Sequence, residues 1–348
     1  MKSRRVTIHD VALRAGVSKS AVSFAFNDPG KLSESTVEQI MQAASDLGYV
    51  RNSSARAMRT NATNALGLLL PQAIDVILQN PYYASLIQGI GQVCQSEGYA
   101  LLLVPPLRGS MLKAIPTAAV DGFIISGLEE ERREVVEIIN KHTPMVVVDP
   151  TAAIDVPTVE IEDFVELQRL VEQILARGHR RIGIAAIETD THSTYEDWHG
   201  VVGKRMAAIM GALEDSGIKR NSPDVKIVEV PSTYQGGLEA FKELWGSEPH
   251  PTVIIAFSDV IALGILEAAR DHGVRIPEDL SVTGYDDITI SSMSAPRLST
   301  VHQPIVAKGR LAAQMLVDEI RSGGSSQILH QKLAASLVLR DSLGPAHE

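Results

Sequence analysis

The sequence is poor in cysteine, in aromatic residues and in long apolar runs. Its 348 residues include one cysteine, Cys94, which excludes an intramolecular disulfide and a zinc site built from cysteines. Aromatic residues make up 4%, which is low for an antibody-like sandwich or a carbohydrate-binding β module. The longest apolar stretches, such as 66–71 and 101–106, are far shorter than the ~20 residues of a membrane span. No apolar run follows the charged N-terminus, so we expect no signal peptide and a cytoplasmic location.

Basic charge is scarce overall but is concentrated near the N-terminus. The chain carries 32 Lys and Arg against 42 Asp and Glu, a net charge of −10. Residues 1–60 hold nine Lys and Arg and five Asp and Glu, which gives +4 there and leaves −14 on the remainder. Such asymmetry is typical of a nucleic-acid-binding module joined to an acidic body. The 45% apolar content excludes bulk disorder, and the length predicts two or three domains.

Three short helices are predicted in the first fifty residues from their caps and their helical spacing. Thr7, Ser18 and Ser33 each stand as an N-cap before an apolar stripe. Gly16 and Gly48 supply the stops of the first and third helices. Two helices joined by a tight, glycine-containing turn form a helix-turn-helix, whose second helix enters the DNA major groove. We therefore predict a DNA-binding domain at residues 1–50; the alternative is a small helical bundle whose exposed face is only solvated.

The second helix should present its solvent-facing side chains to base edges, with Lys19 and Ser20 at its leading end. The residues predicted to contact DNA in this domain are Thr7, Ser18, Lys19, Ser20, Ser23, Phe24 and Asn27.

Several runs in this region resemble the LacI/GalR family of bacterial repressors. They are 6–12 (VTIHDVA), 15–18 (AGVS), 21–23 (AVS), Asn27 and 47–49 (LGY). The resemblance continues more thinly to the final residues. It implies a hinge helix at residues 51–62 that binds DNA through Arg56 and through Met58, which would wedge into a central minor-groove step. The alternative is a flexible linker without a DNA role.

Phe24 departs from the family pattern. The family commonly carries Arg at this position, and an Arg would read guanine through two hydrogen bonds. Phe has no such donors. It could touch a thymine methyl group or pack inside the domain, and the sequence leaves both interpretations open.

The rest of the chain alternates short apolar runs with helical patterns. Strand candidates are 66–70, 100–104, 122–126 and 145–149, then 181–186, 226–230, 252–256 and 280–285. Continuous apolar strands separated by helices predict parallel sheets covered on both faces. Two series of four strands predict two similar α/β lobes, and ligands bind beyond the carboxyl ends of such strands. The fold class is therefore α/β, with a helix-turn-helix head and a two-lobed body that has a ligand cleft between its lobes.

The resemblance implies the same body, similar to periplasmic sugar-binding proteins, as an effector-binding and dimerisation domain at residues 63–348. It implies one lobe at 63–163 and 294–330, a second lobe at 164–293 and 331–348, and crossovers near 162–164, 293–295 and 329–332.

Candidate effector contacts come from alignment with the family and from positions at strand ends. They are Tyr82, Tyr83, Asp149, Glu162, Arg205 and Asp259. The resemblance assigns contacts with polar groups of the effector to Arg205 and Asp259. The alternative for Asp259 is a helix N-cap, a role that ligand contact does not exclude. The alternative for Arg205 is a surface charge at a helix start.

No catalytic or cofactor motif competes with this interpretation. His192, Glu196 and His199 have a metal-ligand spacing, but their stretch is typical of a loop. We expect no enzymatic activity, cofactor or metal. The sequence predicts a transcriptional repressor that binds a near-palindromic operator as a homodimer. Its effector would be a sugar, polyol, nucleoside or sugar phosphate, with the direction of the response left open. The alternatives are a small-molecule binding protein without a regulatory role and an α/β enzyme with a fused head.

Overall fold

The computed structural model divides the chain into two compact units, Met1–Thr63 and Asn64–Glu348. It describes residues 6–49, 62–127, 136, 138, 141–150, 154–189, 198–219, 221–323 and 328–347. The hinge helix expected at 51–62 lies outside these residues, apart from its last position. In the described part of the chain, each helix is too short or too polar to cross a membrane.

The first unit is a three-helix head whose helices start where the sequence places their caps. The helices are α1 (Ile8–Arg14), α2 (Lys19–Asn27) and α3 (Glu34–Asp46). The Ser18 hydroxyl accepts a hydrogen bond from the Ala21 N–H at 3.1 Å, and Ser33 caps α3 in the same way. Gly16, at φ +63°, provides the left-handed turn between α1 and α2. The predicted N-caps at Ser18 and Ser33 are thus confirmed.

The head closes around a small core. Its most buried members are Val11, Val22 and Ile40, one from each helix, all with 0% exposure. Phe26 leaves α2 on the inner side and packs against Tyr49 with ring centroids 5.8 Å apart. Since α2 buries one side in this way, its opposite side is free to meet another molecule.

The second unit contains two six-stranded sheets with equivalent strand orders, which differ in the direction of one edge strand. The first sheet has β1 (Ala65–Leu69), β2 (Ala100–Val104), β3 (Gly122–Ser126), β4 (Met145–Val148), β5 (Thr158–Glu162) and β11 (His330–Ala334). The second has β6 (Ile182–Ile187), β7 (Val225–Val230), β8 (Val253–Ala256), β9 (Ser281–Asp286), β10 (Ser299–His302) and β12 (Ser336–Val338). Their orders are β11-β5-β4-β3-β1-β2 and β12-β10-β9-β8-β6-β7. All pairings are parallel except β10 with β12, which confirms the predicted pair of parallel α/β lobes.

Helices cover these sheets. The described helices of this unit are α4 (Ile74–Ile77), α5 (Pro81–Glu97), α6 (Met111–Ala114), α7 (Phe164–Ala176), α8 (Gly200–Asp215), α9 (Tyr234–Trp245), α10 (Asp259–Asp271) and α11 (Ile305–Ser322). Two helix pairs approach closely because glycines lie at their contacts. A Cβ added to Gly89 of α5 would lie 2.0 Å from the Val306 carbonyl oxygen of α11. A Cβ on Gly237 of α9 would lie 2.8 Å from the Gly264 Cα of α10.

Two of the three expected crossovers are displaced. The first is where it was predicted, between β5 and α7. The second lies at 303–304, because β10 pairs with β9 in the second sheet before α11 packs on the first. The third lies at Ala335, because residues 330–334 pair with β5. The expected crossovers at 293–295 and 329–332, and the lobe boundaries built on them, are therefore wrong. The segment HQKLA has no apolar run, so its place as an edge strand was not visible in the sequence.

Candidate functional site

The outer face of α2 carries most of the predicted DNA contacts. Lys19 and Ser20 are exposed at its N-terminal end, and Ser23 is half-buried one turn later. Phe24 is 39% exposed on the same face. Asn27 is the last residue of α2. Positive charge and small polar groups at the leading end of such a helix suit contact with phosphates and base edges.

Two further predicted contacts are at helix starts. The Thr7 hydroxyl and N–H both donate to the Asp10 carboxylate, at 2.7 and 2.8 Å, while Ser18 caps α2. Both residues are exposed, so their positions remain open to a backbone phosphate. Arg56 and Met58 lie outside the described residues.

A cleft lies between the carboxyl ends of the two sheets, and Arg205 of α8 lines it together with Asp149 of the first lobe and Tyr285 of the second. The Arg205 side chain is 7% exposed, so the alternative of a surface charge is wrong. One guanidinium nitrogen donates to the Phe257 carbonyl at 2.5 Å, and the guanidinium carbon lies 3.4 Å from the centre of the Tyr285 ring. Its Nε is buried and has no hydrogen-bond partner; the nearest carboxylate, Asp163, is 4.0 Å away. A buried donor without a partner is costly and is ready to bind an acceptor.

Two acids occupy equivalent ends of the two lobes. Asp149 directly follows β4, and Asp286 ends β9, the strand at the same place in the second sheet. Both have left-handed backbones, φ +54° and +118°, conformations that non-glycine residues adopt at some cost. Burial raises the pKa of Asp286 to about 6, although Arg205 and Gln303 favour its ionised form. These acids give each wall of the cleft an acceptor of hydrogen bonds.

A buried lysine connects the walls. Lys308 lies on α11 with 1% exposure, and its ammonium donates to Asp149 and to the Gln303 side-chain oxygen, each at 2.6 Å. The Gln303 amide nitrogen in turn donates to Asp286 at 2.5 Å. The resulting chain of four polar side chains runs from the first sheet, through a crossover, to the second. Buried charges are tolerated when they are paired in this way.

The tyrosines predicted for the cleft stand at the start of α5. Tyr82 and Tyr83 pack edge to face, with centroids 5.2 Å apart. The Lys308 ammonium lies 3.4 Å from the Tyr82 hydroxyl, which brings Tyr82 to the polar chain. Asn80, the N-cap of α5, donates to Ser232 of the second lobe at 3.0 Å, so the lobes also touch at this side.

Asp259 and Glu162 are not brought to the cleft. Asp259 has 0% exposure, and its carboxylate accepts from the Ile288 N–H at 2.9 Å and from the hydroxyls of Ser291 and Thr300, each at 2.6 Å. These partners all belong to the second lobe. The N-cap alternative is also wrong, because Ser258 is the N-cap of α10 and accepts a hydrogen bond from the Ile261 N–H. Glu162 is 61% exposed and pairs with Lys332 on the outer edge of the sheet at 3.4 Å.

The residues that the sequence interpretation missed had a signal. Asp286 and Asp287 follow the predicted strand 280–285, and Asp149 is the last residue of the predicted strand 145–149. Lys308 falls on the apolar stripe of α11, between Ile305 and Ala312, where a lysine is out of place unless it has a buried partner. Asp163 is the neighbour of the predicted Glu162. No group of three potential metal-ligating side chains occurs in the described ranges, while His192 and Glu196 fall outside them.

Comparison with known proteins identifies the two units. Residues 7–52 match the model of bacterial regulatory proteins of the lacI family, and residues 171–343 match a periplasmic binding protein-like domain. The HTH-type transcriptional repressor PurR of Haemophilus influenzae is 29% identical, with 97% of this chain and 98% of the relative covered. The repressor CytR of Escherichia coli K12 is 28% identical, with 97% and 96% covered.

Solved structures of similar proteins share the fold of this chain. The regulator CelR in complex with cellobiose is 27% identical, with a TM-score of 0.69, and 97% of this chain and 100% of that chain are covered. The lac repressor dimer bound to operator and an anti-inducer has a TM-score of 0.80 over 98% of this chain and 100% of its own; at 23% identity this likeness shows the fold. With a head of the lacI type followed by the two-lobed ligand-binding fold, the chain belongs to the LacI family of bacterial DNA-binding transcriptional regulators.

Proposed function

We propose that this protein is a cytoplasmic repressor that binds a near-palindromic operator as a homodimer and is controlled by a small molecule held in the cleft. The head supplies sequence-dependent contacts through the outer face of α2. Residues 51–62 serve as the hinge, with Met58 as a minor-groove wedge and Arg56 on the DNA backbone. The protein has no catalytic role; the effector acts through the difference between its affinities for two states.

The observation that carries the effector proposal is the unpartnered Nε of Arg205 inside a cleft that is otherwise internally paired. Seven charged groups surround the space. They are the cations Lys204, Arg205 and Lys308, and the carboxylates of Asp149, Glu160, Asp163 and Asp286. One more carboxylate than cation disfavours an anionic ligand such as a sugar phosphate. A neutral molecule rich in hydroxyl groups suits the set, because each hydroxyl both donates to a carboxylate and accepts from a cation.

Relatives support this class of ligand. The similar regulator CelR was solved with cellobiose, and a LacI family regulator of Enterococcus faecium was solved with ribose. The charged groups of the cleft now make hydrogen bonds and ion pairs with one another. Ligand hydroxyls would replace some of these bonds, so binding would change the contacts between the lobes. Gln303, which lies in a crossover, and Lys308, which follows it on α11, would change their contacts in response.

The experiment has two parts. Random-sequence DNA selection with the full chain should yield a two-fold symmetric site whose binding weakens as salt rises. A thermal-shift screen of sugars, polyols and nucleosides should then find a ligand that changes operator affinity. Arg205→Met should reduce affinity for that ligand by at least about thirtyfold, since it removes a buried charged donor, while operator binding persists.

The matched control is Arg169→Met, which removes an arginine that is 61% exposed on α7. It should bind ligand and operator like the wild type. Absence of any sequence-dependent DNA binding would refute the regulatory role. Equal ligand affinity in Arg205→Met and Arg169→Met would refute the assignment of the cleft.

A further inference from the structure

Phe24 is an aromatic side chain placed outside the core of the head. It lies on the face of α2 that also carries Lys19, Ser20 and Ser23, and it is 39% exposed. Two residues later, Phe26 packs against Tyr49 on the inner side of the same helix. Among the described residues of the head, Phe26 packs against the core, whereas Phe24 does not belong to the core cluster. Since this face of α2 is the one predicted to enter the major groove, Phe24 would meet base edges there.

The Lys31 side chain packs over the Phe24 ring. Its ammonium lies 5.2 Å from the Phe24 ring centre, a cation–π contact, and 2.9 Å from the Asp28 carboxylate. One face of the ring is covered by this cation, which leaves the rest of the ring to the groove. The contact also brings a positive charge beside the ring, where phosphates border the groove.

One base presents an apolar group to Phe24 in the major groove. Thymine alone presents a methyl group in the major groove, whereas guanine, adenine and cytosine present only donors and acceptors. Phe24 has no hydrogen-bonding group, so it gains nothing from a guanine edge and would desolvate it. We infer that Phe24 recognises a thymine through its 5-methyl group, at one base pair in each half-site. This inference rests on the proposed function, since it assumes that α2 enters the major groove.

The test removes the methyl group and nothing else. In the selected operator, each thymine is replaced in turn by deoxyuridine, symmetrically in both half-sites, and the dissociation constant is measured by fluorescence anisotropy. At one position we expect a loss of about fourfold per half-site, and roughly fifteenfold for the symmetric pair, the size of one buried carbon counted twice. A 5-methylcytosine·guanine pair at that position should bind better than a cytosine·guanine pair, because it restores the methyl group.

Variants of the head assign the effect to one side chain. Phe24→Ala should bind the thymine and deoxyuridine operators equally, while Phe24→Leu should keep part of the preference because it keeps apolar surface. The matched control is Leu13→Ala, which removes an apolar side chain that is 69% exposed on α1 and should leave the preference at its wild-type value. Circular dichroism verifies that each head is folded.

The outcomes separate this inference from the proposed function. Sequence-specific binding in which no thymine is sensitive to deoxyuridine would overturn the inference and leave the regulator intact. A preference that survives in Phe24→Ala would also overturn it. A lack of any specific operator would instead overturn the proposed function itself.

Discussion

Replacing Asp259 with alanine tests whether this acid holds the second lobe together or contacts a ligand. The substitution leaves a backbone N–H and two hydroxyl groups without their acceptor, all in a fully buried place. Each buried donor that loses its partner costs about 1–3 kcal/mol. We therefore expect Asp259→Ala to lower the free energy of unfolding by about 3 kcal/mol or more near pH 5. At this pH the Asp259 carboxyl is still largely protonated in the folded wild type, so the cost of a buried charge is small.

The pH dependence follows from the pKa of Asp259, which burial raises from 3.8 to about 7. Because the folded pKa lies above the unfolded one, the folded protein binds the extra proton between these values, and its stability falls as pH rises through that window. Each pH unit corresponds to about 1.4 kcal/mol. The alanine variant has no carboxyl group there and does not lose stability in this way. The difference in free energy of unfolding between wild type and variant should therefore shrink by about 2 to 3 kcal/mol between about pH 5 and pH 8. Asp286 titrates beside Asp259, and the pair shares the transition.

Urea unfolding followed by circular dichroism, at both pH values, provides the measurement. Asp271→Ala is the matched control, since Asp271 ends the same helix with its side chain 63% exposed. It should change stability by less than about 0.5 kcal/mol. If Asp259→Ala were as stable as the control at both pH values and lost only ligand affinity, the structural role assigned to Asp259 would be refuted.

Three further substitutions test the packing and the polar chain by the same unfolding assay. Gly89→Ala should destabilise the protein by about 1–3 kcal/mol, because its methyl group would lie 2.0 Å from a carbonyl oxygen of α11. Gly91→Ala, on the same helix with nothing within 4 Å, should stabilise it by about 0.5–1 kcal/mol; equal effects would contradict the close helix contact. Lys308→Met should cost about 3 kcal/mol, since it leaves Asp149 and Gln303 without their donor, and adding Asp149→Asn should recover part of that loss.

The parts of the fold that depend on local patterns were predictable. Caps at Ser18 and Ser33 and the spacing of apolar residues determine the helices of the head within a few residues of chain. The central strands of both sheets are continuous apolar runs, so composition alone reveals them. The edge strand β11 is mostly polar and β12 has three residues, so only pairing with distant strands makes them strands. Their places, and hence two crossovers, required the three-dimensional structure.

The residues of the cleft were likewise only partly predictable from the sequence. Arg205 and Asp149, predicted from strand ends and the family resemblance, both line the cleft, and their contact with an effector stays a prediction. Asp259 and Asp286 both follow strands, and the sequence offers no local reason to prefer one. What separates them is long-range: Ser291 and Thr300 satisfy Asp259 from 32 and 41 residues away, whereas Asp286 faces Gln303 at a crossover. A carboxylate whose partners come from distant segments cannot be recognised from its neighbours in the chain.

The two edge strands that were hidden from the sequence also protect the protein. β11 borders β5 in one sheet and β12 borders β10 in the other, and only Ala335 separates them. One short ribbon near the C-terminus therefore seals an open edge of both lobes. A chain ending at residue 329 would expose the unpaired N–H and C=O groups of β5 and β10 together, and exposed edges of this kind template pairing with other chains. Proteolysis or premature termination in this stretch would then produce self-association rather than a constitutively active or inactive regulator.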